Sequence, residues 1–226
     1  MSAPKKILRF GKVAVAAHAI HTLTFFLLGI TGTLIYADFL DFLAPVFGGM
    51  QGARLVHRIA AVGFAVVPIL SVLLNPKGFA EWMRVVFTWG KNDLAFFKAF
   101  LQEFFGGHAD IPPQTKFNAG EKINSMLQVG GCTLIALSGF VIWFPEVFPA
   151  ALVSISYPLH TGAFAVTGTA IFGHMYLAMG HPATNVALSG MVTGYIDADV
   201  AKGHYRTWYD AEAAKGNVVE GDRWKF

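Results

Sequence analysis

The stretch YPLHTGAFAVTGTAIFGHMYLAM, from Tyr157 to Met179, is apolar enough to cross a bilayer and still carries two histidines, His160 and His174. In hydrocarbon a neutral imidazole brings a donor and an acceptor that lipid cannot satisfy, so each ring needs a partner. The two residues are fourteen positions apart. At 100° per residue that separation is roughly 40° short of a whole number of turns, so both rings leave one side of the helix, about 21 Å apart along its axis. A single helix with one ligand near each membrane face predicts two cofactors stacked across a bilayer.

Three further runs have the length to span, about 20 residues each. With the fourth, the expected spans are residues 13–36, 54–74, 122–144 and 157–180, followed by a polar tail over 181–226. The chain is 54% hydrophobic and 14% charged with a mean hydropathy of +0.51, whereas soluble domains carry about 25% charged residues. These features predict an all-α integral membrane protein, a four-transmembrane-helix bundle forming a single domain over 1–226. The lone Cys132 excludes an intrachain disulfide and any cysteine-held iron–sulfur or zinc site. The first run follows Lys5, Lys6, Arg9 and Lys12, as in a signal peptide, but it is too long for one and contains His18 and His21, so it is expected to be retained. Pro68 is expected to kink the second span, and Asn75-Pro76 to end it.

Residues 77–121 mix charges with Trp82, Phe87, Trp89, Phe96, Phe97, Phe100, Phe104 and Phe105. This pattern suits an interfacial segment with rings at headgroup level, or a partly helical loop packed on a partner subunit. Four basic residues precede the first span, five lie between Lys77 and Lys116, and five follow from Lys202, with none in the other two loops. The positive-inside rule places both termini and the central segment in the cytoplasm. The net charge of +3 and pI near 9 therefore reflect topology, and nucleic-acid binding is not expected.

With both ends inside, the histidines sort by depth. His18 and His174 fall toward the inner face, and His57 and His160 toward the outer. Two imidazoles facing across a bundle are what a six-coordinate b-type haem requires, one axial nitrogen on each side of the ring. His21 lies one turn from His18 on the same face, which leaves two candidates for the inner position. His21 also suits a propionate or a quinone. Arg54 and Arg58 flank His57 and could pair with propionates or snorkel to the interface. Gly29 and Gly32 share a face, and Gly63, Gly139, Gly162 and Gly168 occur in the other spans, where small residues admit a neighbouring helix or a flat macrocycle. His108, His181 and His204 lie outside the spans and are expected at a surface or interface.

The HAIH of the first span, the GARLVHR opening the second and LHTGAFAVTGTAIFGHMYLAM in the fourth resemble the cytochrome b (gamma) subunit of membrane-bound respiratory formate dehydrogenases, over about Arg9 to Tyr209. That resemblance implies a four-helix cytochrome b with two haems b, the outer held by His57 and His160 and the inner by His18 and His174. It also implies a menaquinone or ubiquinone site on KFNAGEK, residues 116–122, where Asn118 and Gly120 match the family and Glu121 replaces its glutamine. Asn118 would hydrogen-bond a quinone carbonyl, and a carboxyl at 121 could exchange protons with water. Taken without the resemblance, the same motif is a polar helix start with Asn118 as cap.

The implied setting is the bacterial cytoplasmic (inner) membrane, in a complex with an iron–sulfur (beta) subunit and a molybdenum- or tungsten-containing catalytic (alpha) subunit, with higher oligomers of that complex expected. The chain itself would perform only the quinone half-reaction. The cytochrome b subunit of a nickel–iron hydrogenase or of a thiosulfate- or polysulfide-reductase-type complex would share this pattern. A haem-free four-helix transporter or assembly factor is the alternative from a different class.

Overall fold

The computed structural model describes residues 5–220, apart from 106, 108, 183 and the side chain of residue 103. His108 lies outside the described residues. Four helices are long and apolar enough to cross a membrane: α1 (Lys12–Tyr36), α2 (Met50–Leu74), α5 (Ala119–Trp143) and α6 (Ala150–Met175), the last prolonged by a π-helical turn, Tyr176–Gly180. Between α2 and α5 run α3 (Pro76–Phe87) and α4 (Lys91–Phe104). The tail carries α7 (Leu188–Thr193), α8 (Ala198–His204) and α9 (Arg206–Ala214). Large apolar side chains on the long helices stay exposed, among them Leu23 at 71%, Leu73 at 69% and Phe172 at 64%, as expected of surfaces solvated by lipid tails.

All four spans start earlier than the sequence suggests, and α2 and α6 do so by the most. α2 begins at Met50 because Gly48 and Gly49 turn the chain at φ +79° and +88°, conformations that side chains disfavour, and the Gly49 carbonyl then accepts the Ala53 N–H. α6 begins at Ala150, the Pro149 carbonyl accepting the N–H groups of Leu152 and Val153. Pro158 therefore lies inside the helix, removing one backbone donor without ending it. Pro68 is likewise carried within α2. The connection from α1 to α2 contains a 3₁₀ helix, Asp38–Phe47, with Phe39, Phe42 and Val46 exposed.

The chain divides into two compact units. The first comprises Ala16–Pro76 and Gly131–Gly168, a bundle of α2 with most of α1 and α6 and the last half of α5. Phe25 is buried there against Phe64 and Phe164. Glycine allows close helix approach at two points: a methyl on Gly29 would press on the Phe164 ring at 3.2 Å, and one on Gly131 would run into Thr167. The buried hydroxyls of Thr31, Ser156 and Thr167 donate to carbonyls four residues back, at 2.7–2.8 Å, so none is orphaned.

The second unit comprises Met1–Val15, Lys77–Gly130 and Thr169–Phe226. It holds a three-stranded antiparallel sheet absent from the sequence-based expectation: β1 (Lys5–Leu8) is central, between β2 (Tyr195–Asp197) and β3 (Val218–Glu220). Ile7 pairs with Ile196 on one side and Val218 on the other, and packs with Ala201, Tyr205 and Trp208 into a small core. The mixed charged and aromatic segment 77–121 resolves into two amphipathic helices. α4 turns Phe96 inward at 5% exposure, while Phe87 and Phe105 stay exposed. Its first turn is capped by Asp93, which accepts the Gly90 N–H at 2.8 Å.

Candidate functional site

Within the bundle unit, α2 and α6 bring His57 and His160 face to face. Their ring centres are 6.4 Å apart with planes inclined at 65°. Bonds of about 2 Å from a nitrogen of each ring to one shared metal would set two imidazole centres about 6 Å apart.

The hydrogen bonds select the nitrogen that would bind. His160 Nδ1 donates to the Ile135 carbonyl at 2.9 Å and lies 3.2 Å from the Ser138 hydroxyl. His57 Nδ1 lies 2.9 Å from Thr31 Oγ1, whose own hydrogen is directed at the Leu27 carbonyl. With both Nδ1 atoms used as donors, both Nε2 lone pairs remain for a ligand.

The helices also leave room. A methyl on Gly32 would lie 3.1 Å from His57 Cε1, and one on Gly139 would lie 3.0 Å from His160 Cε1. Glycine at these two points lets α1 and α5 pass beside the imidazoles without crowding them. Two available nitrogens, metal-compatible spacing and this clearance fit a six-coordinate haem. Thr31→Val keeps the side-chain shape and removes the acceptor for His57 Nδ1. It is expected to weaken haem retention about 10- to 100-fold, the scale of outer-shell changes at metal-bound histidines, measured by haem loss to apomyoglobin.

Arg58 places its guanidinium 5.6 Å from the centre of the Trp143 ring, while Arg54 is exposed at the start of α2. His18 is exposed on α1. His21, one turn further, stacks flat on Phe64 at 4.0 Å and 19°, with a buried Nδ1 that has no partner among the described residues. His174 belongs to the second unit, near the end of α6, within electrostatic reach of the Glu121 carboxylate.

The KFNAGEK motif forms the start of α5. Asn118 Oδ1 accepts the Glu121 N–H and Glu121 Oε2 accepts the Asn118 N–H, each at 2.9 Å, a reciprocal capping box. Buried Gln114 accepts the Ala119 N–H at 3.1 Å. A methyl on Gly120 would sit 3.3 Å from Asn118 Oδ1. Glu121 is drawn into a network that its sequence neighbours do not announce. Arg9 reaches both carboxylate oxygens, at 3.1 and 2.9 Å, and Tyr205 donates to Oε1 at 2.8 Å. Burial works against charge on Arg9, yet the Glu121 carboxylate and the Tyr205 ring hold its guanidinium above its ordinary pKa. Burial pushes the Tyr205 phenol up, so it stays a donor.

Lys122, taken from the sequence as the first residue of a span, is 1% exposed. Its ammonium donates to Asp93 Oδ1 at 2.7 Å and to the Thr88 carbonyl at 2.9 Å. His181, expected at a surface or interface, is instead 6% exposed and stacked on Phe104 at 5.4 Å, just after the π-helical turn that ends α6. His204 is half-buried beside Tyr205.

A family model described as prokaryotic cytochrome b561 matches residues 9–194. The nitrate-inducible formate dehydrogenase cytochrome b556(Fdn) subunit of Escherichia coli (strain K12) is 25% identical over 223 residues, covering 95% of this chain and 97% of that protein. The formate dehydrogenase cytochrome b556 subunit of Haemophilus influenzae is 23% identical over 211 residues, covering 92% and 84%. The cytochrome b556(fdo) subunit of the E. coli K12 formate dehydrogenase is 24% identical over 200 residues, covering 85% and 86%.

Proposed function

The chain belongs to the prokaryotic cytochrome b561 family, and on that premise we propose that it is the membrane-bound cytochrome b subunit of a respiratory formate dehydrogenase. It is a multi-pass inner-membrane protein with an electron-transfer role and haem b as its cofactor. The observation that carries the proposal is the His57–His160 pair, with both Nδ1 atoms committed to protein acceptors and the ring centres 6.4 Å apart.

Two haems b are proposed. His57 and His160 hold the outer one, with Arg54 and Arg58 beside its propionates. His18 and His174 hold the inner one, with the unpartnered His21 Nδ1 available to a propionate. His21 is given the supporting role because Phe64 already covers one face of its ring. Bound in these sites, haem supplies one-electron transfer across the membrane. Electrons enter at the outer face from an iron–sulfur subunit, itself joined to a molybdenum or tungsten catalytic subunit. They leave to menaquinone or ubiquinone near Asn118, Gly120, Glu121 and His174, with both termini in the cytoplasm. At the quinone, Asn118 offers its two amide hydrogens to a carbonyl, since its oxygen is used in the cap. Inward electron movement with proton uptake inside stores about 2.3 kcal/mol per charge per 100 mV.

A reduced-minus-oxidised visible spectrum of the purified chain tests the haem assignment, and the absence of a b-type band would sink it. Co-purification followed by identification of bound subunits tests the formate dehydrogenase assignment; a hydrogenase large subunit in the complex would replace it. Asn118→Ala is expected to raise the half-saturating menadiol concentration for haem reduction about tenfold, the worth of one well-placed hydrogen bond.

A further inference from the structure

Resting on the quinone site proposed above, we propose that Arg9 and Tyr205 are positioning residues that act through Glu121 to fix the quinone-facing amide of Asn118. Glu121 is thereby assigned to holding that amide, and not to exchanging protons with water.

The network determines where the Asn118 side chain points. Its oxygen is held by the Glu121 N–H and its backbone N–H by Glu121 Oε2, so the carboxamide plane is set by the placement of Glu121. Glu121 in turn is held from two directions. Arg9, leading out of β1, donates to both carboxylate oxygens, and Tyr205, between α8 and α9, donates to Oε1. These partners are 112 and 84 residues away in sequence, so the local helix start does not supply them. Both oxygens of the carboxylate are therefore filled by protein donors.

Arg9 is well fixed for this task. It is 3% exposed, donates to the Lys116 carbonyl at 2.7 Å, and lies 3.8 Å over the Tyr205 ring. It thus grips the motif at its first residue and at its sixth. A planar guanidinium with fixed donors suits such a double hold, which the single point charge of lysine does not reproduce. The same carboxylate lies within electrostatic reach of His174, the other side chain assigned to the quinone. Glycine at 120 keeps the backbone clear beside Asn118 Oδ1, where a methyl would approach to 3.3 Å.

The test uses the full-length chain in lipid nanodiscs, with menadiol as electron donor and haem reduction followed by stopped flow. Tyr205→Phe removes one hydroxyl, and Glu121→Ala removes the carboxylate on which Arg9, Tyr205 and the Asn118 N–H converge, leaving only the backbone N–H at 121 on Asn118 Oδ1. Each is expected to raise the half-saturating menadiol concentration, Tyr205→Phe about threefold and Glu121→Ala about tenfold, with the dithionite-reduced spectrum unchanged. In an Asn118→Ala background the same changes are expected to add less than about twofold, because their effect passes through that amide. Wild-type half-saturation in both single variants, or full additivity on Asn118→Ala, would overturn the positioning role while leaving the quinone site standing. An unchanged value for Asn118→Ala alone would overturn both.

Discussion

Replacing His160 with alanine is expected to remove about half of the reduced b-type absorbance, because under the proposed two-haem arrangement one haem would then lose one of the two histidines that hold it. His57→Ala is expected to remove the same half, and the double variant no more than either alone. Such non-additivity follows if both residues serve one iron, since the second deletion finds nothing left to disrupt. The measurement is the dithionite-reduced difference spectrum normalised to protein. Unchanged absorbance in either single variant would break the pairing of α2 with α6. Quinol-driven reduction of the remaining haem tests direction as well. If the inner site adjoins the quinone, it should still be reduced by menadiol when the outer ligands are gone.

The second large effect is expected at Lys122 and Asp93, a pair 1% and 10% exposed at the side chain and 2.7 Å apart. Taking one member away leaves the other buried without its counter-charge. Asp93→Asn is expected to destabilise the chain by about 3–5 kcal/mol, roughly 10 °C in Tm for a protein of this size. Lys122→Met is expected to do comparable damage, since the Asp93 carboxylate would keep the Gly90 N–H but lose its counter-charge. The double change Lys122→Met/Asp93→Leu is expected to recover much of the loss, as well-packed apolar replacements of buried ion pairs do. Thermal unfolding followed by circular dichroism in detergent decides between these outcomes. A double variant as unstable as the sum of the singles would indicate that the two charges act separately.

Much of the transmembrane architecture could be read from the chain because its signals are local. An apolar run of about 20 residues spans wherever it occurs, and a histidine inside it is conspicuous. Counting positions from the membrane faces gave the expectation that His57 pairs with His160, and α2 and α6 hold their ring centres 6.4 Å apart. Helix starts were less legible. The fourth span was expected from Tyr157, but α6 starts at Ala150 and runs through Pro158, which removes one backbone donor without ending the helix. The surroundings of the histidine pair were not legible in the sequence. Nothing in the sequence distinguishes Thr31, whose hydroxyl faces His57 Nδ1, from a span hydroxyl such as Ser156, which donates within its own helix. Glu121 was visible as a departure from the related motif, but its partners Arg9 and Tyr205 were not. Long-range pairs leave no periodic trace, and neither do three- and four-residue strands such as Lys5–Leu8 and Tyr195–Asp197.

That sheet has an implication for how the protein is made. β1 is synthesised at the start, yet both strands that flank it, at 195–197 and 218–220, emerge from the ribosome only after every spanning helix has been translated. Domains otherwise tend to fold in the order of their synthesis. Here the first strand must wait, with Arg9 at its end, until the last segments arrive. A chain interrupted before Tyr195 would insert its helices but leave β1 bare on both edges and Glu121 without Tyr205 or a fixed Arg9. Closure of the sheet thus ties the geometry at Asn118 to segments translated after the last spanning helix.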